Sequence, residues 1–136
     1  MATVKSGVMS APAQTQTASI YIVDDEEMIG EVVEVILDLE GYRPRFFQNP
    51  LEALEAFTSA DPKPDLLLTD FAMMQMNGME LIERCRKICP EIRCILYSGN
   101  VGQEITQFYP SKPDGFLSKP FLPKALTGIV QTVLSK

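Results

Sequence analysis

Five side chains in this 136-residue chain have the types and spacing to do chemistry together: the adjacent pair Asp24 and Asp25, then Asp70, Ser98 and Lys119. Each stands where a short, mainly apolar run ends, at Val23, Thr69, Tyr97 and Ser118. Three carboxylates within a few ångströms repel by roughly 4 kcal/mol per close pair at an effective dielectric near 20, so a site that gathers them needs a cation. An oxygen-rich acidic pocket suits Mg²⁺, a hard ion held through one or two carboxylates and several waters. Lys119 brings a second positive charge and a hydrogen-bond donor, and Ser98 brings a hydroxyl. A carboxylate among such groups is equipped to take up a phosphoryl group, because they neutralise charge on the oxygens in transfer. On its own, an Asp at a strand end can simply begin a turn or cap the next helix. The other four residues favour the chemical reading of Asp70.

The elements that would position these residues follow from periodicity. Residues 19–23 form a β-branched and aromatic run, and from 26 to 40 Met28, Ile29, Val32, Val33, Val35, Ile36, Leu37 and Leu39 recur at helical spacing, with Gly41 placed to end the helix. The unit then repeats. A strand at 43–47 leads to Asn49-Pro50, an N-cap with Pro in the first turn, and a helix to Ala60. Leu66 to Thr69 reads as a buried strand with Asp70 emerging at its carboxyl edge, where ligands bind in open α/β sheets. A helix from Gly78 stops at Pro90; strand 92–97, a short helix over 101–109 curtailed by Pro110 and Pro113, strand 115–118 and a helix over 122–134 complete the chain. Alternating strands and helices imply right-handed crossovers and a parallel sheet covered on both faces. The expectation is a doubly wound α/β fold of five βα units, flavodoxin-like, with strand order 2-1-3-4-5.

Composition narrows the function classes. The length allows one domain, 19–136, preceded by a polar tail at 1–18 with too few apolar residues to pack and expected to be flexible. Eighteen acids against twelve Lys and Arg leave a formal charge of −6, which argues against nucleic-acid binding. No run approaches the twenty apolar residues of a membrane span and the N-terminus lacks a secretory signal, so a cytoplasmic location is expected. Cys85, Cys89 and Cys94 are expected to be buried structural thiols. The chain has no His, which removes Ser-His-Asp and Cys-His nucleophiles, histidine-ligated metals and a phosphohistidine donor role.

Taken in order, Val23-Asp24-Asp25-Glu26, Asp70 followed by Met73, Met76-Asn77-Gly78, Tyr97-Ser98-Gly99 and Lys119-Pro120-Phe121 make the chain resemble the receiver domain of two-component response regulators. Each motif is short and weak alone; the set, at the spacing of one small domain, is specific. The resemblance implies a phosphorylation-dependent signalling switch rather than a turnover enzyme. In it Asp70 is the phospho-acceptor. Asp25 binds Mg²⁺ directly, Asp24 helps through water, and the backbone carbonyl of Ala72 is a further ligand. Lys119 pairs with the carboxylate and then the phosphoryl oxygen, next to a cis Lys119-Pro120 bond. Ser98 turns inward to the phosphoryl group, and Phe116 is the switch aromatic that moves inward with it; a plain core residue is the competing reading of Phe116. The implied donor is a sensor histidine kinase or histidine phosphotransfer protein. The responding surface is the fourth helix, fifth strand and last helix. With the chain ending at Lys136, the output is expected to be a downstream protein target, onward phosphotransfer, or a change from monomer to phosphorylation-dependent dimer.

Departures from the family pattern qualify the details. Met74 stands where the family commonly has Pro, which should leave that loop more flexible. Ala72 and Asn100 occupy positions that tune acyl-phosphate hydrolysis in the family, and a small apolar Ala72 points to slow or intermediate self-dephosphorylation. Ala72 also speaks against a haloacid-dehalogenase-type phosphatase, which needs an Asp there, and Asp24-Asp25-Glu26-Glu27 would repel the phosphate of a flavin mononucleotide. A phosphorylation-independent docking module is the remaining alternative.

Overall fold

The computed structural model describes residues 17–99 and 102–136. Most of the expected polar tail, Asn100 and Val101 lie outside the described residues. The elements are β1 (Ser19–Val23), α1 (Glu27–Leu39), β2 (Arg43–Phe47), α2 (Pro50–Ser59), β3 (Leu66–Asp70), α3 (Gly78–Ile88), β4 (Arg93–Ser98), a 3-10 segment (Gln103–Phe108), β5 (Gly115–Ser118) and α4 (Pro123–Leu134). All strands are parallel, in the order β2-β1-β3-β4-β5. This is the expected 2-1-3-4-5 order, with β3 at the centre and buried along its whole length.

Two cores sit on the two faces of the sheet, divided by the period-two alternation of the strands. Ile20, Ile22, Leu66, Leu68, Ile95 and Tyr97 face α1 and α4, meeting Val33, Leu37, Leu126 and Val130. Tyr21, Val23, Leu67, Cys94 and Leu96 face α2 and α3, meeting Phe57, Leu81 and Ile82. Each large apolar side chain contributes about 1.5–3 kcal/mol by leaving water, and together they fix the sheet from which the strand ends emerge.

Local signals set most helix ends. Asn49 accepts from the Leu51 amide at 2.8 Å ahead of Pro50. Gly41, with φ of 95°, takes the left-handed turn that ends α1. Asn77 and Glu80 form a capping box, each side chain bonding the other's amide at 2.9 Å. The expected fourth α-helix is instead the 3-10 segment Gln103–Phe108. Seven residues lie between Gly102 and Pro110, too few to repay helix nucleation, and Thr106 turns its hydroxyl back to the Gln103 carbonyl at 2.9 Å. The cysteines also differ from expectation: Cys85 and Cys94 are buried, but Cys89 caps the end of α3 and is only half-buried. Among the described residues no helix is long and apolar enough to cross a membrane.

Candidate functional site

Strand register assembles the site. The β1–β3 ladder ends at Val23 beside Thr69, and the β3–β4 ladder ends at Asp70 beside Tyr97. Asp24 and Asp70 therefore leave neighbouring strands at one edge, with Asp25 the next residue. Carboxylate oxygens of Asp24, Asp25 and Asp70 lie within 4.8 Å of one another. Asp24 is fully buried, Asp70 is 3% exposed, and Asp25 is half-buried.

Lys119 enters from the end of β5, its amide donating to the Ser98 carbonyl at 2.8 Å, and the bond from Lys119 to Pro120 is cis. Its ammonium lies 3.2 Å from Asp70 Oδ1, 3.5 Å from Asp24 Oδ2 and 3.2 Å from Glu26 Oε1. Asp24 is further held by the Glu26 amide on Oδ1 and the Tyr97 hydroxyl on Oδ2, both at 2.8 Å. Asp25 Oδ2 accepts from the Met74 amide at 3.2 Å. The chain beyond Asp70 folds back through bonds from the Phe71 amide to the Tyr97 carbonyl and from the Gly78 amide to the Phe71 carbonyl. At Gly78 the approach is close enough that a β-carbon would sit 2.2 Å from the Asp70 carbonyl oxygen.

These placements explain the electrostatics. Burial, followed by the Asp24 charge, pushes the Asp70 carboxyl up to about 6 against the opposing pull of Lys119. Burial works against the charged Lys119, but Asp24 and Asp70 outweigh it and its pKa is raised. Burial and then Asp24 push the Tyr97 phenol up, so it stays a donor. The three clustered carboxylates have one half-buried ammonium beside them, on Asp24 and Asp70, and the donor set is all oxygen. Such a set fits a hard divalent cation of the Mg²⁺ kind, which would offset the residual negative charge.

Of the residues singled out from sequence, Asp24, Asp25, Asp70 and Lys119 converge. Ser98 is buried at the last position of β4, one residue past Asp70's partner Tyr97. Ala72 is exposed on the loop that follows Asp70. Phe116 is half-buried opposite Leu96 and packs, as Ile105 and Tyr109 do, on the core facing α2 and α3. Sequence reasoning gave no role to Tyr97, Glu26 or the Met74 amide. Tyr97 carried a signal: a phenol near the end of an apolar run needs a buried partner for its hydroxyl. Backbone amides carry none.

Known proteins resemble this chain in sequence and in fold. The response regulator receiver domain family matches residues 20–131. Sporulation initiation phosphotransferase F of Bacillus subtilis is 33% identical over 105 residues, covering 75% of this chain and 82% of that protein. The phosphate regulon transcriptional regulatory protein PhoB of Pseudomonas aeruginosa is 30% identical over 122 residues, 87% of this chain and 52% of that protein. The sensor kinase CckA of Brucella abortus is 30% identical over 121 residues, 88% of this chain and only 13% of the kinase. The chain thus spans about half the length of one of these relatives and a small part of another. A CheY-like receiver domain protein from Methanospirillum hungatei superposes with a TM-score of 0.81 at 28% identity, covering 88% of this chain and 94% of that one.

Proposed function

The chain belongs to the response regulator receiver domain family of two-component signalling, and on that premise we propose that it is a phosphorylation-dependent switch with Asp70 as acceptor. The observation that carries the reading is the placement of Asp70: clustered with Asp24 and Asp25 and 3.2 Å from the Lys119 ammonium, at the carboxyl edge of the sheet. In the transfer, an Asp70 carboxylate oxygen bonds to phosphorus while the bond from phosphorus to the donor's imidazole nitrogen breaks, its electron pair leaving with the nitrogen. Asp25 and Asp70, with Asp24 and the Ala72 carbonyl, would hold Mg²⁺, which when bound supplies charge neutralisation for the phosphoryl oxygens. Lys119 orients the acceptor carboxylate and then pairs with the transferred group. Ser98 bonds a phosphoryl oxygen, and Phe116 follows it inward, altering the surface of the 3-10 segment, β5 and α4.

The donor is a histidine kinase or histidine phosphotransfer protein, met in the cytoplasm. Supporting this, α1 presents Met28, Val32, Val35 and Leu39 to solvent beside Glu27, Glu31, Glu34 and Asp38. Like charge disfavours a second copy of this chain there. An apolar helical surface with a basic rim is the complementary partner. That stripe runs from the groove of Met28, Val32, Pro120 and Phe121, which includes Lys119.

Intact mass after incubation with acetyl phosphate and Mg²⁺ tests the reading. The parent should gain one phosphoryl mass and Asp70→Asn none. If neither gains mass although Mg²⁺ binds, the chain docks its partner without phosphorylation. Amide exchange of residues 103–108 that phosphorylation leaves unchanged would remove the proposed responding surface.

A further inference from the structure

We propose that Tyr97 is a positioning residue of this site: by donating its hydroxyl to Asp24 it occupies the oxygen that would otherwise capture Lys119, and so leaves the ammonium to Asp70. The inference rests on Asp70 being the acceptor.

Tyr97 is fully buried on β4, and its hydroxyl lies 2.8 Å from Asp24 Oδ2. Lys119 reaches for the same oxygen and stops at 3.5 Å, whereas it stands 3.2 Å from Asp70 Oδ1. The phenol therefore holds the short bond and the ammonium the long one. The aim of the hydroxyl is set by what touches the ring: the Lys119 ammonium lies 5.0 Å from the ring centroid, and Phe121 packs edge-on at 5.9 Å between centroids. One side chain thus contacts Asp24, Lys119 and the loop that carries Lys119, and its chain neighbour is Ser98.

A neutral donor is the right device for this task. Asp24 is wholly out of water and has the Glu26 amide on its other oxygen. A buried carboxylate missing a donor recovers it from the nearest cation. Without the phenol oxygen the nearest cations are Lys119 and any divalent ion held by the three carboxylates. Both would be drawn toward Asp24, tightening metal binding while misplacing Lys119 with respect to Asp70. A residue that only fills space predicts no such opposition, because a loosened pocket weakens binding and rate together.

The test uses the full chain as parent, Tyr97→Phe, Asp24→Asn and the double variant, with thermal unfolding to show that each is folded. Mg²⁺ affinity is measured by calorimetric titration. The rate of phosphoryl uptake from acetyl phosphate at saturating Mg²⁺ is followed by mass. For Tyr97→Phe the Mg²⁺ Kd should fall about threefold and the saturating rate about tenfold, the scale of one hydrogen bond to a charged group. In the Asp24→Asn background the same substitution should change neither value. Tyr97→Leu, which also lacks the hydroxyl, carries the same expectation should the Phe variant fail to fold. Unchanged affinity and rate, or both weakened in parallel, would overturn the proposal. Should the parent itself take up no phosphoryl group, the acceptor reading fails, and the direction of the Mg²⁺ shift still decides for or against Tyr97.

Discussion

Strands β3 and β4 each hand the chain from the acidic edge to a helical segment, and the two handovers are built to opposite standards. After β3 the Phe71 amide is bonded to the sheet and the Gly78 amide to the Phe71 carbonyl, and α3 opens on a capping box and buries Gly78, Met79, Leu81, Ile82 and Cys85. After β4 comes a 3-10 segment with no side-chain cap at its start, its end held by the Lys112 ammonium on the Thr106 and Tyr109 carbonyls, a single buried residue, Thr106, and Phe108 72% exposed. Few buried contacts and weak capping mean a low opening free energy. The side that carries the acceptor is braced, and the side expected to respond to it is lightly held. The two sides meet where the Asn77 side chain donates from Nδ2 to the Tyr109 hydroxyl at 3.0 Å, where Arg86 of α3 donates to the Lys112 carbonyl and the Asp114 carboxylate, and where Ile105 and Tyr109 pack on the core that α3 lines.

The sharpest way to break the contrast is at its two glycines. Gly78→Ala places a methyl 2.2 Å from the Asp70 carbonyl, a backbone group that cannot step aside, and 2.7 Å from the buried Leu96 side chain. It should destabilise by about 3 kcal/mol in denaturant unfolding and depress phosphoryl uptake with it.

Asp70 itself comes next. Its folded pKa of about 6 lies above its ordinary value of 3.8, so the folded state holds this proton more tightly than the unfolded chain does. The stabilisation from that proton is complete below about pH 4 and lost as pH rises through about 6. In metal-free protein at pH 7.5, Asp70→Asn should therefore raise stability by about 2 kcal/mol, an advantage that fades on acidification to pH 4. An advantage that does not change with pH would show that burial and Asp24 do not strain the acceptor.

Asn77→Ala removes the capping box and the link to Tyr109 together, and about 1 kcal/mol of stability should go with them. Amide exchange should quicken in the first turn of α3 and also around Tyr109, on the far side of the comparison. Gly102→Ala should do least. Its added methyl meets only the mobile carboxylate end of Glu104, so denaturant midpoints should shift by no more than about 0.5 kcal/mol. A loss equal to that of Gly78→Ala would mean that the two handovers are equally braced.

Strands, most helices, their order and the convergence of Asp24, Asp25, Asp70 and Lys119 were legible in the sequence, because each rests on periodicity or on short capping and turn signals. The 3-10 segment was not: the stretch reads as a short helix curtailed by Pro110 and Pro113, and the structure shows only six residues, Gln103–Phe108, in a helical turn, too few to repay α-helix nucleation. Cys89 was misjudged for a related reason, since its exposure depends on α3 ending one residue before it.

The sequence by itself determined which residues could meet, since alternation along parallel strands assigns every side chain to one face or edge of the sheet. Tertiary structure alone decided how they are shared. That Lys119 stands nearer Asp70 than Asp24, and that Tyr97 claims the oxygen between them, depends on differences of a few tenths of an ångström among groups as many as 95 residues apart in the chain. Such distances are set by packing around a buried charge, where each donor gained by one carboxylate is withheld from its neighbour.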